Sequence, residues 1–353
     1  MTPRGTDWSL ALLVALGLVS GVLTLFAGAP GRAWVFTVHG VGGTALGLVL
    51  AWKLRRVWSR LADPARWDQR TAAGAAALGF VATVLVSGWA WSSGGNLRVG
   101  GYNLLNWHFA LGAALGVIVL AHALGRAKPP RRRDLADRRQ FLAAAGVAVG
   151  AFAVYQAQRP VSALFGWRGA RRRFTGSYEA ASFEGNAFPA TSWVADNPRE
   201  LDATRYRLKV EGRVARSLEL RAADLDAGDE LEAVLDCTGG FWSRQRWRGT
   251  RVGRLLDQAG LDGEASHVRV VSRTGYRWSF SLDDARDLLL ATQVGGETLS
   301  HEHGAPARLV APGRRGFEWV KWVDRIEVHD GPDPGAAAST VWSSLTPEGR
   351  GSA

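Results

Sequence analysis

The sequence has one cysteine in 353 residues, Cys237, so it forms no internal disulfide and carries no Cys-x-x-Cys redox or metal motif. Walker A and Gly-x-Ser-x-Gly patterns are also missing, which removes the P-loop nucleotide and nucleophile-elbow hydrolase classes. The string Gly40-Val41-Gly42-Gly43-Thr44-Ala45 nominally fits a dinucleotide fingerprint, but it lies inside an apolar helix with no preceding strand. Acidic residues are the scarcer charge, with 32 Asp+Glu against 43 Lys+Arg and a net charge of +11. Such a surplus raises nucleic acid as a partner until its position is read. Residues 1–125 hold 9 basic and 3 acidic residues, 126–140 hold 7 and 2, and 141–353 hold 27 of each, so the whole surplus lies among hydrophobic segments. A membrane explains that placement, and nucleic acid is excluded as the expected partner. A content of 47% hydrophobic residues with 16 Trp excludes collagen-like, disulfide-scaffold and disordered chains. The length suits about two domains.

Four long stretches have no Asp, Glu, Lys or Arg in their cores: Trp8–Gly28, Trp34–Trp52, Thr71–Trp91 and Leu104–Leu124. Each is long enough to cross a hydrocarbon core of about 30 Å at about 1.5 Å per residue. A cleaved signal peptide accounts for the first alone, and a buried soluble bundle fits the segment lengths poorly. Trp8, Trp34, Trp52, Trp91 and Trp107 fall near the ends, where indoles sit at headgroup level. Six basic residues lie between Lys53 and Arg70 and seven between Arg126 and Arg139, while the other two loops have one each, Arg32 and Arg98. The positive-inside rule then makes the N-terminus and both basic loops cytoplasmic.

A fifth apolar stretch, Phe141–Ala157, follows Asp137-Arg138-Arg139-Gln140-Phe141-Leu142. Arg-Arg-x-Phe-Leu resembles a twin-arginine export signal set internally, and an ordinary positive-inside flank is the alternative. Both readings put everything after about Gln158 outside the cytoplasm. The expected organisation is an N-terminal all-α transmembrane bundle of four helices over 1–125, a basic loop and fifth, linking helix over 126–157, and a linker over 158–180. A C-terminal α+β domain over 181–335 and a tail over 336–353 complete it. The linker is expected along the outer membrane face, with Arg171-Arg172-Arg173 as a solvated charge run.

Three of the seven histidines, His39, His108 and His122, lie in these apolar helices. An ionisable residue inside a membrane is a functional candidate because burying it unpaired is costly. His39 and His108 sit at similar depth from the outer side, as bis-histidine ligation of a b-type haem requires. Gly40, Gly42, Gly43, Gly112 and Gly116 leave room for a macrocycle, or equally for close helix packing. His122 lies 14 residues after His108 on nearly the same face, where a second haem would stack, but the equivalent position after His39 is Lys53. One haem is expected and a second stays open. The region resembles, diffusely, the four-helix cytochrome b modules that carry electrons in membranes.

Residues 158–353 change character. Short β-like runs at Tyr206–Val210, Leu231–Leu235, Val268–Val271, Ala307–Val310 and Asp324–Val328 alternate with turns rich in Gly, Pro and Asp, and one helix is expected at Gly253–Ala259. Cys237 stands at the end of a β-run and the start of a Gly-rich turn. A lone cysteine is by default a small buried hydrophobe. Arg244, Arg246, Arg248 and Arg251 downstream would favour a thiolate, which serves as a nucleophile or a soft metal ligand. His301-Glu302-His303 offers a small metal site as an alternative use. Asp283, Asp284 and Asp287 read as a helix cap and solvated surface.

Cys237-Thr238-Gly239-Gly240-Phe241-Trp242-Ser243, followed by Trp247-Arg248-Gly249-Thr250, resembles the sulfite-oxidase-type molybdopterin-binding domain. The likeness covers most of 180–330 with its motifs in family order. It includes Gly185-Asn186-Ala187-Phe188-Pro189, Ser272-Arg273-Thr274-Gly275-Tyr276, the run from His303 to Pro312, and Gly316-Phe317-Glu318-Trp319-Val320-Lys321-Trp322-Val323. The resemblance implies an α+β fold in which the Cys237 thiolate ligates molybdenum. It implies a cofactor cradle of Asn186, Pro189, Ala190, Ser272, His303, Arg308, Trp319, Val320 and Lys321; His303 stands where the family often has Asn. Arg244, Arg246 or Arg273 would line an anion- or sulfoxide-binding pocket, and the catalytic candidates are Cys237, Arg244 and Arg273.

The expected protein is therefore a multi-pass cell-membrane oxidoreductase. Its extracytoplasmic molybdenum domain would transfer an oxygen atom to or from a small sulfite- or sulfoxide-type substrate, and the fused haem domain would exchange electrons with quinone in the lipid bilayer. The competing readings are a haem-containing electron carrier whose outer domain is a non-catalytic binding module, and a transmembrane ferric reductase.

Overall fold

Where side chains are apolar and uncharged over twenty residues, the backbone has to satisfy its own hydrogen bonds, and a helix does so within one segment. The computed structural model, which describes residues 2–126, 138–191, 196, 198–226 and 228–343, has five such helices. They are α1 (Pro3–Thr24), α2 (Trp34–Leu61), α3 (Gln69–Ser92), α4 (Leu104–Arg126) and α5 (Arg138–Leu164). All five are long and apolar enough to cross a membrane, by length and composition. Thr2 caps α1 by accepting from Gly5 N, with Pro3 at the first helical position, and Asp68 caps α3 by accepting from Thr71 N at 2.7 Å.

Several ends differ from the sequence expectation. α2 continues past Trp52 to Leu61, so Lys53-Leu54-Arg55-Arg56 is helical and not a connection; Lys, Leu and Arg propagate helices well. α5 extends beyond Phe141–Ala157 on both sides and takes in Arg138, Arg139 and residues 158–164 of the expected linker, with Pro160 inside it. Residues 127–137 of the basic loop, including Asp137, lie outside the described residues, as do 344–353 of the tail.

The chain divides into two units, 1–178 and 179–353. In the first, α1 packs on α2 and α4, α3 on α2 and α4, and α5 against α2. Val14, Leu46, Val81, Val84 and Leu115 form the centre of this bundle. Its two ends are chemically distinct. Lys53 pairs with Asp7 at 2.8 Å and Thr2 N donates to Gln140 Oε1 at 3.2 Å at one end, while the opposite end holds His39 beside Ser20. Arg172 is not part of a solvated run. It is 6% exposed, lies 4.1 Å from the Trp91 ring centre, and donates to Gly176 O and Gly95 O at 2.9 and 3.1 Å. An indole face and two carbonyls replace the water a guanidinium loses on burial.

The second unit is built from strands whose burial alternates. β3 (Arg207–Gly212), β4 (Leu218–Arg221), β7 (His267–Ser272), β8 (Arg277–Ser281) and β12 (Val323–His329) form a five-stranded mixed sheet in the order β4-β3-β12-β7-β8, with β12 parallel to β3; β1 and β2 are the short hairpin Arg98–Val99 and Tyr102–Asn103 of the first unit. The other sheet contains β5 (Asp229–Asp236), β6 (Phe241–Arg251), β9 (Leu289–Val294), β10 (Glu297–Thr298) and β11 (Arg308–Val310). In it β9 pairs with β6, β10 and β11, and β5 pairs with β6. Helix α6 (Val252–Ala259) buries Val252, Leu255 and Leu256, and Ser281 caps the short α7 (Leu282–Arg286). The fold is α+β, and the hairpin β5–β6 delivers Cys237.

That hairpin is held by a buried ion pair in which Arg315 Nη1 lies 2.5 Å from Asp236 Oδ1, with the two side chains 4% and 2% exposed. Arg315→Met strands a carboxylate in the interior and is expected to destabilise the second unit by about 3–5 kcal/mol. A lowered melting temperature of the full chain, recovered in large part by the Asp236→Asn/Arg315→Met pair, is the measurement.

Candidate active site

The last cross-strand pair of the hairpin is Asp236 with Trp242, and the chain then turns through Cys237–Gly240. Cys237 N donates to Phe241 O at 2.8 Å, and Gly240, at φ +97°, returns its N–H to Cys237 O at 3.0 Å. The turn places the buried thiol in the lining of a small pocket with a cavity volume of about 30 Å³. Thr191 Oγ1 lies 3.2 Å and Gly239 N 3.3 Å from Sγ. A Cβ on Gly239 would stand 3.3 Å from the sulfur, so glycine is what lets this amide approach. Gly239 N–H donates to the sulfur, and the Thr191 hydroxyl is within hydrogen-bond reach of it.

Three further pocket residues carry nitrogen. Arg308 on β11 is 2% exposed, donates to His303 O at 3.0 Å, lies 5.2 and 5.8 Å from the ring centres of Trp247 and Trp319, and leaves Nε without a partner. Lys321 Nζ donates to Thr191 O and Glu302 O at 2.8 and 2.6 Å. Among the described residues, no carboxylate lies within 4.0 Å of either cation. Gly304 lets the two meet: at φ +111°, its Cβ would be 3.0 Å from the Cβ atoms of both Arg308 and Lys321. Burial lowers Arg308 to about 10 and Lys321 to about 7, the latter helped by the charge of Arg308.

His303 is held as a neutral ring. Its Nε2–H donates to Phe188 O at 2.9 Å and its Nδ1 accepts from Ser300 Oγ at 2.7 Å. Burial, opposed in part by the Phe188 carbonyl and reinforced by Arg308 and Lys321, lowers its pKa to about 4. A thiol, two cations without acid partners and a neutral imidazole form a place for a soft metal at sulfur with an anion beside it. The orphaned Arg308 Nε is the group such an anion would satisfy.

Pro189 and Ala190 also line the pocket. The other expected residues lie elsewhere. Asn186 uses its side chain on Glu297 Oε2, Thr298 O and Ser300 N at 3.1, 2.9 and 3.0 Å, which fixes the chain leading to His303. Ser272 accepts from Thr274, and Trp319 and Val320 are buried core whose backbone braces β11, through Leu309 N donating to Val320 O at 2.7 Å. Arg244, expected in the pocket, faces the other way and lies 3.5 Å from Glu232. Strand alternation is the reason: Ser243, Gln245 and Trp247 are buried, while Arg244, Arg246 and Arg248 are exposed. Arg246 lies over Phe183, and Arg273 is 3.9 Å from Asp324, so none of these arginines lines the pocket. His301-Glu302-His303 is a short turn that forms no metal-binding group among the described residues. Thr191, Asp236 and Arg315 were not anticipated.

In the first unit, His39 of α2 and His108 of α4 meet across the bundle, ring centres 6.0 Å apart and planes at 88°. That leaves room for one metal atom between two imidazole nitrogens at the roughly 2.0–2.1 Å such bonds take. His108 Nδ1 lies 3.0 Å from Val84 O, which accepts only, so Nδ1 carries the proton and Nε2 keeps the lone pair. Gly43 and Gly112, each one turn beyond its histidine, face space: a Cβ would meet one atom at 3.9 Å and none within 4 Å, respectively. Gly40, Gly42 and Gly116 instead abut Tyr155, Leu16 and Leu18 and serve packing. The backbone of His122 belongs to α4, and its side chain lies outside the described residues.

The profile of the oxidoreductase molybdopterin-binding domain matches residues 194–337. The chain is 34% identical over 148 residues to the uncharacterized oxidoreductase YuiH of Bacillus subtilis, covering 40% of this chain and 74% of that one. It is 29% identical over 186 residues to the protein-methionine-sulfoxide reductase catalytic subunit MsrP of Gluconobacter oxydans, covering 46% and 56%. It is 27% identical over 212 residues to the sulfite oxidase of Gallus gallus, covering 46% of each. The chain thus spans about three quarters of the first relative and about half of the other two.

Lysine ordinarily titrates at 10.5 and Lys321 at about 7, so between these values the unfolded chain holds a proton that the folded chain has released. Stability of the empty pocket therefore rises with pH from about 7 to 10.5. An anion has the opposite preference and is held best below about pH 7, where Nζ is charged. Thermal unfolding of cofactor-free chain against pH is expected to show the rise, and Lys321→Met to flatten it.

Proposed function

The chain belongs to the oxidoreductase molybdopterin-binding domain family, and from that premise we propose a membrane-anchored molybdenum enzyme that exchanges electrons through a haem of its own helical unit. The enzyme is an oxidoreductase, and the observation that carries the active-site reading is Cys237 sharing one pocket with Arg308 and Lys321, two cations without acid partners. Cys237 Sγ would hold molybdenum, and Arg308 with Lys321 would neutralise the pterin phosphate, aided by the neutral His303. Pro189 and Ala190 would border the cofactor, while Asn186, Ser272, Trp319 and Val320 act through the loops they brace. When bound, the molybdenum group supplies two-electron oxygen-atom transfer with a small sulfite- or sulfoxide-type molecule.

The chain's own residues do the rest. Thr191 Oγ1 and Gly239 N stabilise negative charge on the sulfur from 3.2 and 3.3 Å. Phe188 and Phe241 give the pocket part of its apolar lining. Lys321, lowered to about 7, holds a proton at Nζ that it can give or take near neutral pH, whereas His303, lowered to about 4, stays neutral.

For the first unit, five apolar helices, with basic residues gathered at the α2–α3 and α4–α5 ends, support a multi-pass anchor with its N-terminus in the cytoplasm. The fifth crossing, whether or not Arg138-Arg139 is read by the twin-arginine pathway, would put the second unit outside. His39 and His108, at 6.0 Å, would ligate one b-type haem from opposite helices, and Lys53 paired with Asp7 fits poorly with a second haem at His122. Quinone in the bilayer is the expected electron partner.

Elemental analysis of detergent-purified full chain, from a host that makes the pterin cofactor, is expected to give near one molybdenum per chain. Cys237→Ser is expected to lose turnover. Folded protein without metal from that host overturns the enzyme reading. A haem assay on the same sample is expected to give near one b-type haem, lost in His39→Ala and in His108→Ala.

A further inference from the structure

Each of the paired histidines faces a serine–glycine step on the other helix of its own hairpin. Ser20 Oγ lies 3.0 Å from His39 Nδ1, and a Cβ on the adjacent Gly21 would stand 3.3 Å from His39 Cε1. Ser87 Oγ lies 3.2 Å from His108 Nδ1, and a Cβ on the adjacent Gly88 would stand 2.7 Å from His108 Cε1. The sequence repeats with the geometry. Leu18-Val19-Ser20-Gly21 recurs as Leu85-Val86-Ser87-Gly88. The stretch His39, Gly43, Ala45, Leu46, Gly47 recurs at identical spacing as His108, Gly112, Ala114, Leu115, Gly116. The hairpins α1–α2 and α3–α4 are thus two copies of one unit, each bringing an imidazole, the glycine that admits its ring and the hydroxyl that meets its Nδ1.

Hydrogen-bond accounting decides what the hydroxyls do. Ser20 Oγ donates its proton to Leu16 O at 2.5 Å, and Ser87 Oγ donates to Val84 O at 2.9 Å. Each hydroxyl therefore meets its histidine with a lone pair, and Nδ1–H is the donor. Nε2 is left as the basic nitrogen on both rings. We infer that Ser20 and Ser87 are equivalent positioning residues that fix the tautomer of two iron-ligating imidazoles and strengthen their donation to the metal. This rests on the haem reading given above. An accepted Nδ1–H bond pushes electron density toward Nε2 and favours ferric over ferrous iron. Each ring also meets a backbone carbonyl, Val84 O for His108 at 3.0 Å and Gly17 O, at the matching position of the other copy, for His39.

The test is a redox titration with electron paramagnetic resonance spectra of detergent-purified full chain, wild type against Ser20→Ala, Ser87→Ala and Ser20→Thr. Both alanine variants are expected to raise the midpoint potential to a similar extent, by about tenfold in the one-electron equilibrium, roughly 59 mV. Ser20→Thr, which keeps the hydroxyl, is expected to stay close to wild type. Haem in the wild type with unchanged potential and spectrum in both alanine variants overturns the role of the serines alone. Wild type without haem overturns the haem reading and with it this inference. Loss of haem in Ser20→Ala but not in Ser20→Thr supports the inference, and loss in both overturns it.

Discussion

Arg308 carries a guanidinium into the interior with no carboxylate beside it among the described residues, and the rest of the pocket is arranged around that fact. A buried cation without a counter-ion is tolerated only where carbonyls, aromatic faces or a bound anion stand in for water. Trp247 and Trp319 supply the faces, His303 O the acceptor, and Lys321 adds a second charge where repulsion would otherwise forbid one. The left-handed Gly304 allows the approach. Asp236, the acid nearest in sequence to Cys237, is committed to Arg315, so it does not quench the field at the sulfur. The pocket thereby brings two cations and the Cys237 thiol together.

The helical unit solves a different problem with the same economy of charge. Its centre is aliphatic, its charged pair Lys53–Asp7 lies at one end, and its ionisable rings lie at the other. His39 and His108 come from helices that sit diagonally in the bundle, so their meeting depends on all four helices keeping register. Glycine sets that register where helices touch, as Gly40 against Tyr155 and Gly116 against Leu18 illustrate, and leaves space where they do not, at Gly43 and Gly112.

Much of this is legible in the residues and some of it is not. Charge-free runs of some twenty residues admit few readings, which is why all five helices are foreseen. Their ends are not, because Lys, Arg and Leu after Trp52 extend a helix as readily as they would form a basic loop. Cys237, His303, Arg308 and Lys321 stand in motifs in family order, and the structure gathers them. Arg244 lies off the pocket for a reason of parity: alternation shows that 244, 246 and 248 share a face, but which face the pocket occupies depends on the partner sheet, whereas Arg273, in the turn after β7, is drawn to Asp324. Asn186 is a matter of reach, since its amide is used by backbone a hundred residues away. Ser20 and Ser87 give no signal in the sequence because a hydroxyl in an apolar helix usually bonds its own preceding turn, as both of these also do.

The duplicated hairpin has a consequence for assembly. One hairpin holds half of a two-ligand site, so a chain with a single copy would complete the site only by meeting another chain, and occupancy would depend on how much protein the membrane contains. Two copies in series turn that encounter into an intramolecular one, at effective concentrations in the millimolar range for short connections. The ligand pair then forms in every molecule, and the two halves become free to diverge. The partners of the two rings still match, a serine hydroxyl and a backbone carbonyl each, Ser20 and Gly17 for His39 and Ser87 and Val84 for His108, while the packing beyond them already differs in closeness: Gly116 abuts Leu18 more tightly than its counterpart Gly47 meets Leu85.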